Sequence, residues 1–275
     1  MSRTIFATAW IPLLLGTSAC AQKAEPQRAE PQKAEPQAAA SAPAPVLVEL
    51  FTSEGCSSCP PADDALAELE KRQPARGAQI IALGWHVDYW NRLGWADPYS
   101  SPTATQRQES YADTFKLSGV YTPQVVVDGQ RQLVGGSGEV IDGIAAASRA
   151  PKAKLELSVA ARAANSVQVR AQLSALPPVS ANDQAELWLA ITEGNLQTQV
   201  LRGENAGRRL KHTAVVRRLR RWAQVETGAK ELSVPVSNED LDPSWARANL
   251  RATAFLQERR SRRILGAATL PLEAR

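Results

Sequence analysis

Two apolar runs and the segment between them mark the start of the folded region. Residues 46–51 (VLVELF) and 79–85 (QIIALGW) are typical of strands buried on both faces of a sheet. The intervening PPADDALAELEKRQP has prolines in its first turn, acids beside the positive end of the helix dipole, and Leu66 and Leu69 at helical spacing. This pattern predicts a β-α-β unit.

The next segments continue the unit. SPTATQRQESYADTFKLSG is typical of an amphipathic helix that begins near Pro102 and ends at Gly119. QVVVDGQRQLVGG predicts two strands joined by a turn at Asp128-Gly129, and EVIDGIAAASRA predicts a final helix. The resulting order β-α-β-α-β-β-α is that of a thioredoxin-like α/β domain.

From Lys152 onward the pattern changes to short runs of alternating apolar and polar residues. KLELSVAARAANSVQVRAQLSAL forms two such arms about a turn at Asn165-Ser166. This pattern predicts an antiparallel β-sandwich-like domain. The predicted domains are therefore a thioredoxin-like domain over 46–150 and a β-sandwich-like domain over 151–275.

The N-terminus resembles an export signal. A basic start, the apolar stretch IFATAWIPLLLG and small residues predict a signal segment over 1–20, which is too short to span a bilayer as a mature helix. Thr17-Ser18-Ala19-Cys20 resembles a bacterial lipobox, in which Cys20 would carry the lipid. Ordinary signal-peptidase cleavage, which would give a soluble secreted form, is the alternative. The repeat KAEPQRAEPQKAEPQ predicts a disordered linker over 21–45, as a lipoprotein on the periplasmic side of a membrane would use.

Charge is divided unevenly along the chain. Residues 151–275 hold 20 Lys and Arg against 12 Asp and Glu, which leaves 12 against 16 in residues 1–150 because the whole chain has 32 and 28. The basic clusters RRLKH, RRLRR and RRSRR are interpreted as a solvated strand face, with anionic headgroups or an acidic partner as the functional alternative. No nucleic-acid partner is expected for an exported protein, and His212 is assigned to this basic face.

The sequence GCSSC places Cys56 and Cys59 three residues apart on the first turn of the predicted helix. Their spacing suits a disulfide, for which the α-carbons lie about 4.4–6.8 Å apart. So small a loop contributes little stability, whereas the helix N-terminus favours a thiolate at Cys56, the end of the pair expected to face solvent. Cys59 would resolve the mixed disulfide. An inert surface disulfide is the alternative, and zinc is disfavoured because no second cysteine pair supplies the remaining ligands.

Several long motifs carry a family resemblance: ELFTSEGCSSCPPAD, GWHVDYWNRLGWADPYSSP, RQESYA, VYTPQVVVDG and GENAGRRLKHTAVVR. Together they resemble the secreted thioredoxin-like family called domain of unknown function 1223. The resemblance implies a thioredoxin-like fold but no established reaction. It also implies that Pro123, directly before a strand, is a cis proline that faces the dithiol and shapes a substrate groove.

His86 follows the second predicted strand and should lie on the cysteine side of the sheet, because parallel strands joined by a right-handed crossover end on the same side. It is interpreted as a proton relay for the thiols or as a third ligand, with Cys56 and Cys59, for Cu(I). The alternative is a structural histidine packed against Trp85 and Trp90. The aromatic loop WHVDYWNRLGWADP predicts a local mini-core or, less commonly, a peptide-binding patch.

Three functions follow as hypotheses. The leading one is an exported thiol-disulfide oxidoreductase that acts on protein thiols or disulfides without a cofactor, with Cys56, Cys59, Pro123 and His86 as its site. The second is a copper-binding, copper-delivery or redox-sensing module. The third is a non-catalytic adaptor with a vestigial disulfide.

Overall fold

β-Strands from both halves of the chain join one large sheet. The structure is a computed structural model that describes residues 42–135, 138–226, 232–233 and 237–273. The predicted signal segment, Cys20 and nearly all of the predicted linker lie outside the described residues. These described residues form a single compact unit.

The described helices are α1 (Pro60–Arg72), α2 (Pro102–Phe115) and α3 (Glu139–Ala147), with single 3₁₀ turns at Asn91–Leu93 and Arg247–Asn249. The described strands are β1 (Ala44–Thr52), β2 (Ala78–His86), β3 (Gln124–Val127), β4 (Arg131–Val134), β5 (Lys154–Ala163), β6 (Ser166–Ser174), β7 (Ala185–Glu193), β8 (Leu196–Gln199), β9 (Arg209–His212), β10 (Val215–Val225), β11 (Leu232–Ser233), β12 (Ser237–Asp240), β13 (Leu250–Glu258) and β14 (Ile264–Pro271).

The elements predicted from local pattern are present, but α2 ends at Phe115 rather than at Gly119, because Lys116 adopts a left-handed conformation that closes the helix. Both predicted hairpins form, β3 with β4 and β5 with β6. Helix α2 begins after Ser101, whose side chain accepts a hydrogen bond from the N–H of Ala104 at 3.2 Å, and Pro102 takes the first helical turn. Helix α1 begins with two prolines and ends at Arg72. The next residue, Gln73, caps the helix in a left-handed conformation.

The large sheet has eight strands in the order β14-β13-β7-β10-β2-β1-β3-β4. Strands β1 and β2 are parallel, whereas β3, β4, β7, β13 and β14 pair antiparallel with their neighbours. The predicted boundary at residue 150 therefore does not separate two sheets. Alternation identifies a strand but not its partner, so the sequence pattern could not show that β7, β10, β13 and β14 extend the first sheet.

The two parts of the sheet meet at Gly84. Strand β2 contacts β10 through a single parallel bridge between Gly84 and Val215, and the Gly84 N–H donates to the carbonyl of Ala214 at 2.8 Å. A Cβ at position 84 would lie 3.0 Å from the carbonyl oxygen of Thr213. A glycine here permits the close backbone approach that joins the two halves.

Three apolar clusters hold the layers together. Alternate residues of β1 face opposite ways: Val46, Val48 and Leu50 pack with α1 and α3, while Leu47 and Phe51 pack with α2. On the β7, β13 and β14 side, the large sheet packs against a second sheet formed by β5, β6, β11 and β12. The result is a mixed α/β architecture dominated by one large sheet, with a two-sheet sandwich at one end.

Within the described residues, no helix combines the length and the apolar character that crossing a bilayer requires.

Candidate functional site

Cys56 and Cys59 form a disulfide between the end of β1 and the start of α1. Their α-carbons lie 5.4 Å apart, as their spacing predicted. The Cys59 N–H donates to the Cys56 carbonyl at 3.2 Å, and the Cys59 carbonyl accepts from the Ala62 N–H at 2.8 Å. Residues 54–59, which we call the cysteine turn, therefore lead directly into α1 with Cys59 as its N-cap, and Cys56 lies before the helix rather than on its first turn. The structure thus places both sulfurs at the helix N-terminus.

The expectation that Cys56 faces solvent is wrong. Cys56 is 1% exposed and Cys59 is fully buried, although Ser57 and Ser58 between them are exposed. The loop of the β8–β9 hairpin, residues 200–208, lies against these cysteines although it is far along the sequence. We call this loop the covering loop.

The covering loop binds the backbone of the cysteine turn. The Asn205 side-chain amide donates to the carbonyls of Glu54 and Cys56 at 2.8 and 2.9 Å, and the Glu204 carboxylate accepts from the Ser57 N–H at 3.0 Å. Hydrogen bonding to Ser57 lowers the pKa of the Glu204 carboxyl group. A hairpin nearly 150 residues away is therefore anchored on the cysteine turn.

Two histidines, His86 and His212, and two carboxylates, Glu54 and Asp97, form a buried cluster at the cysteine turn. His212 Nε2 lies 2.9 Å from a Glu54 oxygen, and His86 Nδ1 lies 2.7 Å from an Asp97 oxygen. The Asp97 carboxylate also accepts the Glu54 N–H at 2.8 Å, which links the two pairs. The imidazole centroids are 4.6 Å apart, and Tyr99 packs edge-on against both rings. His86 is thus joined to the cysteine turn through Asp97 and Glu54.

This cluster corrects the assignment of His212, which is buried here and does not lie on a solvated basic face. His86 is buried as well, and its ring neighbours are Tyr99 and His212 rather than Trp85 and Trp90. Burial alone would raise the pKa of Asp97, but His86 and the donated backbone N–H groups outweigh it and hold that pKa below its ordinary value.

Asp63 is a second buried acid beside the disulfide. It lies one helical turn after Cys59, and its backbone N–H donates to the Cys59 carbonyl at 3.1 Å. Burial raises the pKa of Asp63 to about 7, although His212 and the nearby Thr52 hydroxyl lower it in part. Within the described residues, Thr52 Oγ1 and His212 Nδ1 are buried atoms without a partner at hydrogen-bonding distance. Asp63 can therefore hold or release a proton near neutral pH.

Pro123 lies beside this turn, and the Thr122–Pro123 peptide bond is cis, as the resemblance implied. A Cβ at Gly135 would lie 2.7 Å from Ala62 Cβ and 2.8 Å from Pro123 Cβ, so the proline and the first turns of α1 share a neighbour. The Trp90 indole N–H donates to Thr122 Oγ1 at 2.9 Å, while Trp90 Cβ would lie 3.3 Å from a Cβ at Gly55.

The aromatic loop is a local mini-core. Trp85 is buried, the Trp95 indole donates to a Glu54 oxygen at 2.8 Å, and Trp90 bonds Thr122 as described above. Leu93, between the two loop tryptophans, remains 52% exposed. The loop therefore packs its large rings inward and leaves one apolar side chain at its rim.

The copper hypothesis gains no geometric support. Among the described residues there is no group of three or more His, Cys, Asp and Glu side chains arranged to hold a metal ion. His86 directs its Nδ1 at Asp97, and both cysteine sulfurs are engaged in the disulfide. A copper site at Cys56, Cys59 and His86 stays a prediction.

Three of the four arginines of β10 are paired with acids. Arg217 lies 3.5 Å from Glu193 and Arg221 lies 3.1 Å from Glu186, and Arg220 pairs with Glu239 at 2.6 Å. These acids neutralise part of the positive charge of the RRLRR cluster. Less unpaired positive charge is therefore left to attract an anionic surface.

Most of the folded unit matches one protein family. A family model described as "Protein of unknown function (DUF1223)" matches residues 47–257. The chain belongs to this family. No curated protein matches the sequence.

Two solved structures resemble this member of the DUF1223 family. Protein AGR_C_4864 from Agrobacterium tumefaciens is 25% identical and superposes with a TM-score of 0.61, and the match covers 84% of this chain and 95% of that one. HBP35 of Porphyromonas gingivalis is 15% identical with a TM-score of 0.63, and the match covers 84% of this chain and 76% of that one. At that identity the second likeness is one of fold alone.

Sequence reasoning missed most of the residues around the disulfide: Glu54, Asp63, Asp97, His212, Glu204 and Asn205. Glu54 offered one signal, because an acid two residues before Cys56 and directly after a buried strand is placed to be buried itself. The others lie up to 158 residues away from Glu54, and nothing local ties them to it.

Proposed function

We propose that the protein carries out thiol-disulfide exchange with protein thiols or disulfides. The observation that carries this proposal is the Cys56–Cys59 disulfide at the N-terminus of α1. In the reducing direction, the Cys56 thiolate attacks a substrate disulfide, forms a mixed disulfide and releases one substrate thiolate. The Cys59 thiolate then attacks Cys56 Sγ, re-forms the Cys56–Cys59 bond and releases the second substrate thiolate. The oxidising direction is the reverse of these two steps.

The environment of the cysteine pair supports thiol-disulfide exchange rather than a purely stabilising role. The positive end of the α1 dipole favours a thiolate over a thiol, and a disulfide that closes so short a loop adds little stability. Asp63, one turn after Cys59, supplies a carboxyl group that changes protonation near pH 7 and can accept the Cys59 proton. His86 is a positioning residue in this proposal, because its contact with Asp97 fixes the loop that holds Glu54.

We also infer that the first half of the fold is thioredoxin-like. Strands in the order β2-β1-β3-β4, with parallel β1 and β2 and antiparallel β3 and β4, place the disulfide at the end of β1 and the cis proline before β3. Pro123 would leave the backbone of Thr122 beside an incoming substrate strand.

Wild-type protein should reduce or isomerise disulfides in an insulin or scrambled-substrate assay, and Cys56→Ser should abolish that turnover because the attacking sulfur is lost. The Cys20→Ala variant is the matched control, since it removes a cysteine outside the pair and should retain full activity. Turnover of both substrates by the wild-type protein that is no faster than turnover by Cys56→Ser would refute the exchange proposal.

We further propose that the mature protein is a periplasmic lipoprotein anchored through Cys20. The lipobox-like sequence and the repeat linker that follows it support this proposal. Labelling cells with a radioactive or clickable fatty acid should mark the wild-type protein and leave Cys20→Ala unmarked. Label of equal strength in both proteins would rule out Cys20 as the anchor.

A further inference from the structure

The covering loop contacts the cysteine turn through hydrogen bonds to its backbone atoms. Asn205 donates to two carbonyl oxygens of the cysteine turn, and Glu204 accepts from one of its N–H groups. Donation to carbonyls and acceptance from N–H groups are also what an extended polypeptide offers to a neighbouring backbone. The loop therefore makes the kind of hydrogen bonds that a bound peptide segment would make.

The burial of Cys56 obstructs attack on its sulfur by another thiol. In exchange, a thiolate must reach the attacked sulfur roughly in line with the S–S bond, so the rate depends on access as well as on ionisation. With Cys56 only 1% exposed, a thiol in solution cannot approach until part of the surrounding structure moves away.

The construction of the loop favours movement. Of the covering loop, residues 200–208, Val200 and Asn205 are buried and the other seven residues are exposed. Gly203 and Gly207 flank the anchor, both with positive φ values, of +78° and +85°. A segment with few buried residues, held on the turn by only two side chains, Glu204 and Asn205, can open locally at low free-energy cost.

The covering loop and the aromatic loop each expose one large apolar side chain. A Cβ at Gly203 would lie 3.1 Å from Trp95 Cβ and 3.9 Å from the carbonyl oxygen of Leu93, so the covering loop and the aromatic loop touch. Leu201 is 69% exposed on one loop and Leu93 is 52% exposed on the other. They are two of the four large apolar side chains that are exposed in the described part of the chain. An arriving polypeptide can bury them, which a small thiol cannot do.

We propose that the covering loop is a built-in occupant of the polypeptide-binding position on the cysteine turn, and that a partner polypeptide must displace it before Cys56 exchanges. This inference rests on the proposed exchange function and specifies its substrate class. The partner is a thiol or disulfide carried on an extended backbone segment with an apolar residue nearby. Small thiols are excluded kinetically, because they supply neither the backbone hydrogen bonds nor the apolar contact that would replace those of the loop.

The first test measures access to the disulfide. Dithiothreitol thiolate attacks Cys56 Sγ, the Cys56–Cys59 bond breaks and Cys59 leaves as a thiolate; the second dithiothreitol sulfur then releases Cys56 and closes the reductant's own ring. The rate is followed by quenching, alkylation and mass measurement. Asn205→Ala and the nearly isosteric Asn205→Asp should each react roughly tenfold faster than wild type, since two hydrogen bonds to the turn are lost.

The matched control is Ala206→Ser, a change at an exposed position next to Asn205 that keeps the anchor. It should react at the wild-type rate. Equal rates in wild type and both Asn205 variants would overturn the proposal. The rates do not depend on turnover of any protein substrate, so failure of the exchange function would appear separately, as absence of turnover alongside an intact difference in rates.

The second test avoids any change at Asn205 and asks whether a polypeptide displaces the loop. In Cys59→Ser, a cysteine-containing peptide is attached to Cys56 as a mixed disulfide. The side-chain NH₂ resonances of Asn205, assigned by their loss in Asn205→Asp, should be dispersed and slow to exchange without the peptide. In the adduct they should move to the shifts and fast exchange of a solvated amide. Resonances that stay unchanged in the adduct would overturn the proposal.

Discussion

Replacing Arg107 with methionine should lower the free energy of unfolding by about 3–5 kcal/mol, because it leaves a buried carboxylate without its cation. Glu49 is fully buried in the middle of β1. Arg107, on α2, donates from Nη2 to Glu49 Oε1 at 2.9 Å and from Nε to Oε2. Tyr111 and Trp85 also donate to this carboxylate, the indole N–H at 2.9 Å. The contact with Glu49 outweighs burial and raises the pKa of Arg107, so the guanidinium stays charged.

Guanidinium chloride denaturation of the oxidised protein measures the loss. Arg72→Met is the matched control: Arg72 pairs with Glu68 on the exposed face of α1, where such a pair contributes about 0–1 kcal/mol. The double variant Glu49→Gln with Arg107→Met should recover part of the loss, since a neutral amide can still accept from Trp85 without stranding a charge. A loss in Arg107→Met no larger than in Arg72→Met would show that the network contributes little to stability.

The parts of the fold that local chemistry specifies were predictable. Prolines in the first turn of α1, a cap at Ser101, and Asp128-Gly129 between β3 and β4 each act within a few residues, so the sequence displays them directly. The large sheet was not predictable as a whole. Its two parts meet at one bridge between Gly84 and Val215, and a single glycine inside a strand-like run does not show which distant strand approaches it.

The same distinction holds for the candidate site. The disulfide follows from the spacing of Cys56 and Cys59, because backbone geometry alone brings the two sulfurs together. Their burial does not follow, since the spacing of two cysteines does not show that Asn205, 149 residues after Cys56, packs on their turn. Likewise, the pattern around His212 reads as an alternating strand, and only the approach of Glu54 makes it part of a buried cluster.

Asp63→Asn should change how stability depends on pH. The folded protein holds the Asp63 proton up to a pKa of about 7, whereas the unfolded chain releases it near the ordinary value of 3.8. Between these values the unfolded state binds fewer protons, so the free energy of unfolding falls as pH rises from about 4 to 7 and stays low above that. A pKa difference of about 3 corresponds to about 4 kcal/mol. The asparagine variant lacks this loss and should gain about that much on wild type between pH 4 and pH 8.

The free energy of unfolding is measured against pH for wild type and for Asp63→Asn. The difference between the two curves gives the contribution of Asp63, because the other groups that titrate in this range are common to both proteins. Asp113→Asn, at an exposed position on α2, is the control and should follow the wild-type curve at all pH values. Because the charge of His212 lowers the pKa of Asp63, His212→Gln should extend the fall in stability to a higher pH. Curves for Asp63→Asn and wild type that run parallel from pH 4 to pH 8 would mean that Asp63 is ionised throughout, and the carboxyl group could then not serve as the proton acceptor for Cys59.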